Sequence, residues 1–450
     1  MYTIDRNTAL TDKIILEFVR RHHNGAVPRL NKLDAYYRGE HDILHRSKME
    51  RLSNNRLVCN HAKHITDMAS GYLVGNPVTY QSKEDISGLT EWLRLAEAET
   101  ADMDIAKDAS IFGRAYELDY MSDEQSPTPR IAAIDPRGAF VVYDDTVERR
   151  PVFGVYYYPV YTVGGEIKGY RVNWYTDGEQ RVFSTDTGFG AVREPAAYAN
   201  PFGAVPLVEY GNNEEQQGDF EQVISLIDAY NVLQSDRVND KEQFVAAILL
   251  IKGQVLGDND TEETEAYKAL KAYGILELDA TSSAEWLTRT FDETSVEVLR
   301  RALEEDIHRF SGVPCLDDEN FSGNVSGVAM RYKLLGFEQL TKIKERYFRA
   351  GLKRRLELFA RMLATKGGPR LDINQIDITF TRNLPVNELE QADIVQRLDG
   401  MVPKEILLSI LPFIKDPAAA ADALKEEKKE NARNMRDTFG NSDLPPDEEE

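Results

Sequence analysis

NNRLVCNHAKHITDMASGYLVGNPVTY, residues Asn54–Tyr80, decides how this chain is read. Ala62, Ile65, Met68, Ala69 and Tyr72 recur at three- and four-residue steps, which predicts an amphipathic helix over Asn60–Leu73. Asn60 suits the N-cap, because its side-chain oxygen accepts from the orphan amides of a first turn. Gly75-Asn76-Pro77 ends the helix, since glycine tolerates positive φ and proline cannot continue. Val78-Thr79-Tyr80 then reads as a short strand. YYRGEHDIL, Tyr36–Leu44, lies just upstream, and neither segment has the residue pattern of a catalytic site.

At 450 residues the chain exceeds one core, so two or more folding units are expected. Hydrophobic residues make up 42% and charged ones 29%, enough apolar material for a real interior. No apolar run approaches the roughly 20 residues that span a bilayer. The amino terminus MYTIDRNTALTDK carries acids and no apolar signal core, so no export or membrane anchoring is expected. Cys59 and Cys315 lie far apart and support no disulfide framework, which points to a reducing compartment. The net charge of −22 argues against a protein that grips nucleic acid by neutralising phosphates. It is compatible with a wall that lets DNA slide past, and equally with ordinary acidic solubility.

Outward from the opening motif the chain reads as α+β and predominantly helical. Thr8–His23 is a first amphipathic helix, and Asn31–Tyr37 begins a second. From Ile131 the pattern changes to alternation, with strands at Phe140–Tyr143, Val152–Tyr161, Tyr170–Tyr175 and Gln180–Ser184. Turns at Gly164-Gly165 and Asp177-Gly178 make this an antiparallel meander. Asp219–Leu250 has no internal glycine or proline and predicts a helix near 30 residues, with Phe220, Val223, Ile227, Tyr230 and Leu233 on its apolar side. A compact insert follows over Lys252–Arg289, with an acidic tract at Asp258–Glu265 and a strand at Ile275–Leu278. A second long helix runs from Asp292 to Phe310, and a third from Ser326 to Thr365. The loop between them, CLDDENFSGNVSG at Cys315–Gly327, has the composition of an exposed connection. Ile376–Phe380 is a strand; short helices are expected at Glu388–Leu398, Pro403–Leu411 and Pro417–Arg436, then a disordered acidic tail.

The aromatic pair with Arg38-Gly39, the paired Asn54-Asn55, the Asn60-His61-Ala62-Lys63 helix start, Gly71-Tyr72 and Gly75-Asn76-Pro77 occur in an order that resembles one family. That family is the portal protein of tailed bacteriophages, in the branch typified by siphophages of Gram-positive hosts. IDPRGAFVVYDD at Ile134–Asp145 resembles it too, and weaker likeness extends over nearly the whole chain. The resemblance implies a wing over residues 1–218, stem helices over 219–251 and 291–311, and a small clip insert over 252–290. It further implies a tunnel loop within 312–327, a long helix and return strand of the wing over 328–384, and a helical crown with a tail over 385–450. The loop residues expected to narrow a DNA channel are Leu316, Asp317, Asp318, Glu319, Asn320, Phe321, Ser322, Gly323, Asn324 and Val325. Implied partners are other copies in a ring, a dodecamer, with double-stranded DNA in its channel read without regard to sequence. The terminase large subunit, head-completion or adaptor proteins, and the scaffold and major capsid proteins complete the set. The implied place is a capsid vertex of the virion, assembled in the bacterial host cytoplasm, without a membrane, a cofactor or enzymatic activity. The rival reading is a cytosolic helical scaffold or adaptor unrelated to DNA.

Arg331–Arg361 holds ten basic residues against three acids, a surplus of seven inside an acidic chain. Lys342, Lys344, Arg346, Arg349, Lys353, Arg354 and Arg355 are therefore candidates for contact with DNA phosphates or with acidic surfaces of a neighbouring subunit. Pairing between subunits is favoured, since Asp292, Glu293, Glu297, Glu304, Glu305 and Asp306 crowd the second long helix. His41 with His45 and His61 with His64 have helical spacing, but no familiar ligand pattern accompanies them and no metal is expected. His61 and His64 read as packing or hydrogen-bonding residues. No GxxxxGK[ST] phosphate cradle occurs, so the chain does not power packaging by that route. Asp317, Asp318 and Glu319 could be imagined as a nuclease centre, yet consecutive loop residues rarely converge on one ion, and a charged tip that repels DNA is simpler.

Overall fold

The computed structural model describes residues 2–49, 53–122, 126–245, 248–252, 283–287, 293–315, 327–382, 388–409, 420–421 and 423–430. They fall into two compact bodies. The first comprises residues 1–316 and 335–383, the second 317–334 and 384–450.

The first body opens with strand β1 (Tyr2–Ile4) and helix α1 (Asp12–Gly25), capped by Thr11, whose hydroxyl accepts from the Ile14 amide. Helix α2 (Val27–Tyr37) follows at once, with a proline in its first turn. The sequence reading started this helix too late, at Asn31. Helix α3 (His61–Val74) forms where predicted, and the Asn60 side chain accepts from the Lys63 amide at 2.9 Å. Strand β2 (Thr79–Gln81) and helices α4 (Ser87–Leu95) and α5 (Ala98–Phe112) complete the helical part.

Strands β3 (Arg114–Met121) and β4 (Pro129–Ile134) come next, then β5 (Ala139–Asp144), β6 (Pro151–Tyr161), β7 (Ile167–Tyr175), β8 (Glu179–Thr185), β9 (Arg193–Ala199) and β10 (Leu207–Gly211). The expected meander is present and larger than predicted. A six-stranded sheet in the order β1-β5-β6-β7-β8-β9 is antiparallel except that β1 pairs parallel with β5. β10, β3 and β4 form a separate three-stranded sheet. Ile15, Leu16 and Val19 of α1 share one core with Phe140, Val142, Phe153, Val155 and Trp174 of the large sheet. A second core joins α3, α4 and α5 to β10 and to a later helix.

Helix α6 covers Ile224–Val245, 22 residues, short of the expected length near 30. The apolar run Ile248–Lys252 is instead strand β11, paired antiparallel with β12 (Ser283–Leu287). A run of Ile-Leu-Leu-Ile fits a strand or a helix equally by periodicity, and here the cross-strand partner decides. Helix α7 spans Glu293–Ser311 and α8 spans Gly327–Thr365, 39 residues, both close to prediction. Strand β13 (Asp377–Thr379) returns to pair with β2. In the second body, helices α9 (Glu388–Leu398) and α10 (Lys404–Ser409) pack together, and residues 423–430 are helical. The expected strand at Ile275–Leu278, the acidic tract at Asp258–Glu265, the terminal tail and all ten loop residues from Leu316 to Val325 lie outside the described residues.

Candidate functional site: a polar latch on a long helix and a buried arginine

The extended chain of residues 53–60 runs antiparallel along α6 and is held by three of its side chains. The Cys59 amide donates to Asn231 Oδ1 (2.8 Å), the Leu57 amide to Ser235 Oγ (3.0 Å) and the Asn55 amide to Asn239 Oδ1 (2.7 Å). The match is geometric. Two residues of extended chain advance about 6.6 Å and four of helix about 6.0 Å, so alternate amides meet every fourth helical residue. All three helix residues are buried. Asn231 Nδ2 also donates to His41 Nδ1 (2.8 Å), while His41 Nε2 donates to the Tyr36 carbonyl (2.9 Å). This fixes His41 as the neutral tautomer protonated on Nε2, and burial lowers its pKa in the same sense.

The rest of the opening motif locks to this latch. Tyr36 stacks on His41 with ring centroids 4.6 Å apart and donates to Asp228 Oδ1 of α6 (2.6 Å). Gly39 has φ +83°, and a Cβ there would approach Asn60 Nδ2 to 3.3 Å. That amide group donates to the Tyr37 carbonyl (3.0 Å), so Gly39 and Asn60 are needed together. Asn54 donates to the Arg46 carbonyl, and Arg46 grips Asp236 of α6 with two bonds of 3.0 Å, joined by Lys48 at 2.7 Å. Arg137 of the second motif pairs with Asp34 of α2 at 2.5 Å. Apart from Arg137, which ties α2 to the β4–β5 turn, residues that look unrelated in sequence thus serve one purpose, the placement of α6 against the amino-terminal helices. The sequence reading missed Asn231, Ser235 and Asn239, though small polar residues at i, i+4 and i+8 inside an otherwise amphipathic helix were the available signal.

Burial pushes the Asp236 carboxyl up, but hydrogen bonds from Arg46, Lys48 and Asn239 outweigh it and hold the pKa at about 2. A depressed carboxyl adds stability above its ordinary value of about 3.9, and that stability disappears as pH falls toward 2. The difference in urea midpoint between wild type and Asp236→Asn should therefore shrink from pH 5 to pH 2.5. A constant difference across that window would refute the assignment.

His61 and His64 of α3 face His308 of α7 with ring centroids 5.9 and 5.8 Å apart, and His61 packs edge-on against Tyr230 at 4.8 Å. His308 Nδ1 donates to the Val313 carbonyl (2.9 Å). Burial, then His308, lowers His61 to about 4. Among the described residues no group of three His, Cys, Asp or Glu could hold a metal ion.

The basic run on α8 needs correction. Arg355 is wholly buried: Nε donates to Glu117 at 2.9 Å, Nη1 to Asp102 at 2.7 Å and Nη2 to Glu117 at 2.5 Å. Tyr210 also donates to Glu117 (2.8 Å). Gly351 lets α8 come this close, because a Cβ there would lie 2.3 Å from the Tyr210 ring. Asp119 sits beside them, and burial followed by repulsion from Glu117 raises its pKa well above the usual carboxylate range. Lys344 is nearly buried against Asp219, which also accepts from Ser110 and Asn212. Arg349 pairs with Glu345 and donates to the Ile378 carbonyl, and Arg354 pairs with Glu357. Much of the surplus charge is thus consumed inside the chain, and Arg355 and Lys344 are not surface residues. Lys342 and Arg346 remain exposed and Lys353 half-buried. The acids of α7 behave alike: Glu297 pairs with Arg237, Arg300 and Arg301, and Glu304 with Arg300.

Comparison with known proteins adds an independent line. The family described as phage portal protein, SPP1 Gp6-like, matches residues 16–434. A portal protein of Clostridium phage phiCD119 is 26% identical over 90% of this chain and 94% of its own. The portal protein of Bacillus phage SPP1 is 26% identical over 88% of this chain and 81% of its own. Among solved structures, the neck of an empty GTA particle aligns at TM-score 0.47 and 14% identity, over 78% of this chain and 90% of that one. The neck of a native GTA particle aligns at TM-score 0.44 and 11% identity, over 78% and 89%.

Proposed function

Because the chain belongs to the SPP1 Gp6-like family of phage portal proteins, a structural family of the phage particle, we propose that it forms a ring around a DNA channel. The ring would stand at one capsid vertex, and the genome would enter and leave through it. One observation supports this most: α6 and α7 pack side by side, and the chain between them carries an antiparallel strand pair, β11 with β12. Arg237 to Glu297 (3.2 Å), Lys241 to Glu293 (3.1 Å) and Arg300 to the Tyr230 hydroxyl (3.3 Å) bind the two helices. That is the arrangement expected of two stem helices with a clip held at one end.

On this reading the latch of residues 53–60 sets the stem against the wing, and the expected tunnel loop Leu316–Val325 begins just past the end of α7. Asp317, Asp318 and Glu319 would present negative charge to passing DNA, and the −22 net charge favours sliding over gripping. Arg346 and Lys353, and Lys342, whose only pair among the described residues is the long exposed one to Glu338 (3.9 Å), are left to meet a neighbouring copy. A dodecamer, a terminase contact on the insert, contacts with head-completion and capsid proteins, assembly in the host cytoplasm and the lack of enzymatic activity belong to the same proposal. None of the described helices is long and apolar enough to cross a membrane. Electron microscopy of the purified chain tests the core of it. The expected image is a closed ring with a channel about as wide as duplex DNA; a monomer or an open filament overturns the reading.

A further inference from the structure

A closed ring needs two different faces on each copy, one to give and one to receive. Both are visible in the first body. The receiving face is a groove of about 360 Å³ beside α8, floored by Val313, Phe337 and Tyr347. Phe310, Leu340 and Ile343 line it while 60%, 45% and 46% exposed. Glu214 and Glu215 line it as well, exposed and with no ion pair among the described residues.

The giving face is the tip of the β6–β7 hairpin. Tyr161 and Ile167 are cross-strand partners there, and Tyr161 and Val163 are largely exposed. Tyr158 and Val160 add exposed apolar surface on the other face of β6 from Tyr161, since strand side chains alternate. The hairpin is locally basic: residues 156–175 hold Lys168 and Arg171 against the single acid Glu166. Arg171 lies directly across from Tyr158, which puts apolar surface and positive charge on one face. Exposed apolar residues clustered at two sites of opposite charge are unusual for a surface facing only water.

We propose that the β6–β7 hairpin of one copy seats in the α8 groove of the next, with Tyr161 and Val163 against Phe310, Leu340 and Ile343. Lys168 and Arg171 meet Glu214 and Glu215 at the rim. The contact rests on the ring reading and supplies the heterologous joint that the ring requires. Buried aromatic and aliphatic anchors give the affinity, and the rim charges set the register and partner choice.

Assembly of the full chain, followed by light scattering and negative-stain microscopy over a concentration series, tests this. Tyr161→Asp with Val163→Asp should raise the concentration for half-assembly at least about tenfold, as loss of interface anchors does. Lys168→Glu with Arg171→Glu, and separately Glu214→Lys with Glu215→Lys, should each weaken assembly, and mixing the two reversed proteins should restore it. All six positions are exposed, so folding is preserved. Ring formation at unchanged concentration by the hairpin variant overturns the contact while leaving the ring reading intact, and so does failure of the mixed pair to recover. A wild type that stays monomeric overturns both.

Discussion

Arg355→Met should destabilise the first body by about 3–5 kcal/mol, the range seen when one partner of a buried ion pair is removed. The guanidinium bridges Asp102 and Glu117 at full burial, so its loss strands two carboxyls in an apolar interior beside a third buried acid, Asp119. Arg355→Lys should recover little, because one ammonium cannot span both acids as the planar fork does. Arg355→Met combined with Asp102→Asn and Glu117→Gln should be milder than the single change, since no charge is then left without a partner. The pH dependence has a definite sign. Without the arginine the two acids have folded pKa values above their unfolded ones, so the variant should lose stability as pH rises above about 4 and regain some in acid. Urea denaturation of the four proteins at pH 7 and pH 4.5 reads all of this. An Arg355→Met midpoint within about 1 kcal/mol of wild type would refute the account. Any test of α8 as an interface should therefore reverse Lys342 and Arg346 and leave Arg355 alone.

The same cluster shows where sequence reading reached its limit. Arg355 directly follows Lys353 and Arg354, and composition gives it the same weight as exposed Arg346. What distinguishes it is the partner set on α5 and β3, more than two hundred residues upstream. Strand β3 was missed although Tyr116-Glu117-Leu118-Asp119-Tyr120 alternates apolar and polar residues; what sequence could not show is that its polar face, Glu117 and Asp119, is buried as well as its apolar one. Asn60 and Gly367, by contrast, act through their immediate neighbours, and the helix ends they set were legible, whereas the reading began the first helix at Thr8 and missed the cap at Thr11. The hairpin turns were legible for the same reason. The strand β11 was not, because its partner β12 is separated from it by an insert.

Removing the latch should produce the second large effect. Asn231 satisfies two groups at once, the Cys59 amide and His41 Nδ1, so Asn231→Leu leaves both without a partner at a fully buried position. A cost of about 2–4 kcal/mol follows from roughly 1–3 for each orphaned group, partly relieved by local shifts. Ser235→Ala strands only the Leu57 amide and should cost about 1 kcal/mol. Hydrogen exchange separates local from global loss. In Ser235→Ala the amide of Leu57 should exchange faster while the large sheet is unchanged; in Asn231→Leu the amides of Asn55, Leu57 and Cys59 should all lose protection, because one register holds the three bonds together. Retained protection at Cys59 in Asn231→Leu would show that the helix and the extended segment are held by packing alone. In Asn231→Leu, α6 loses its direct hold on His41 as well, while Tyr36 keeps its bond to Asp228. The ring should then assemble heterogeneously even though neither face of the proposed joint has been altered.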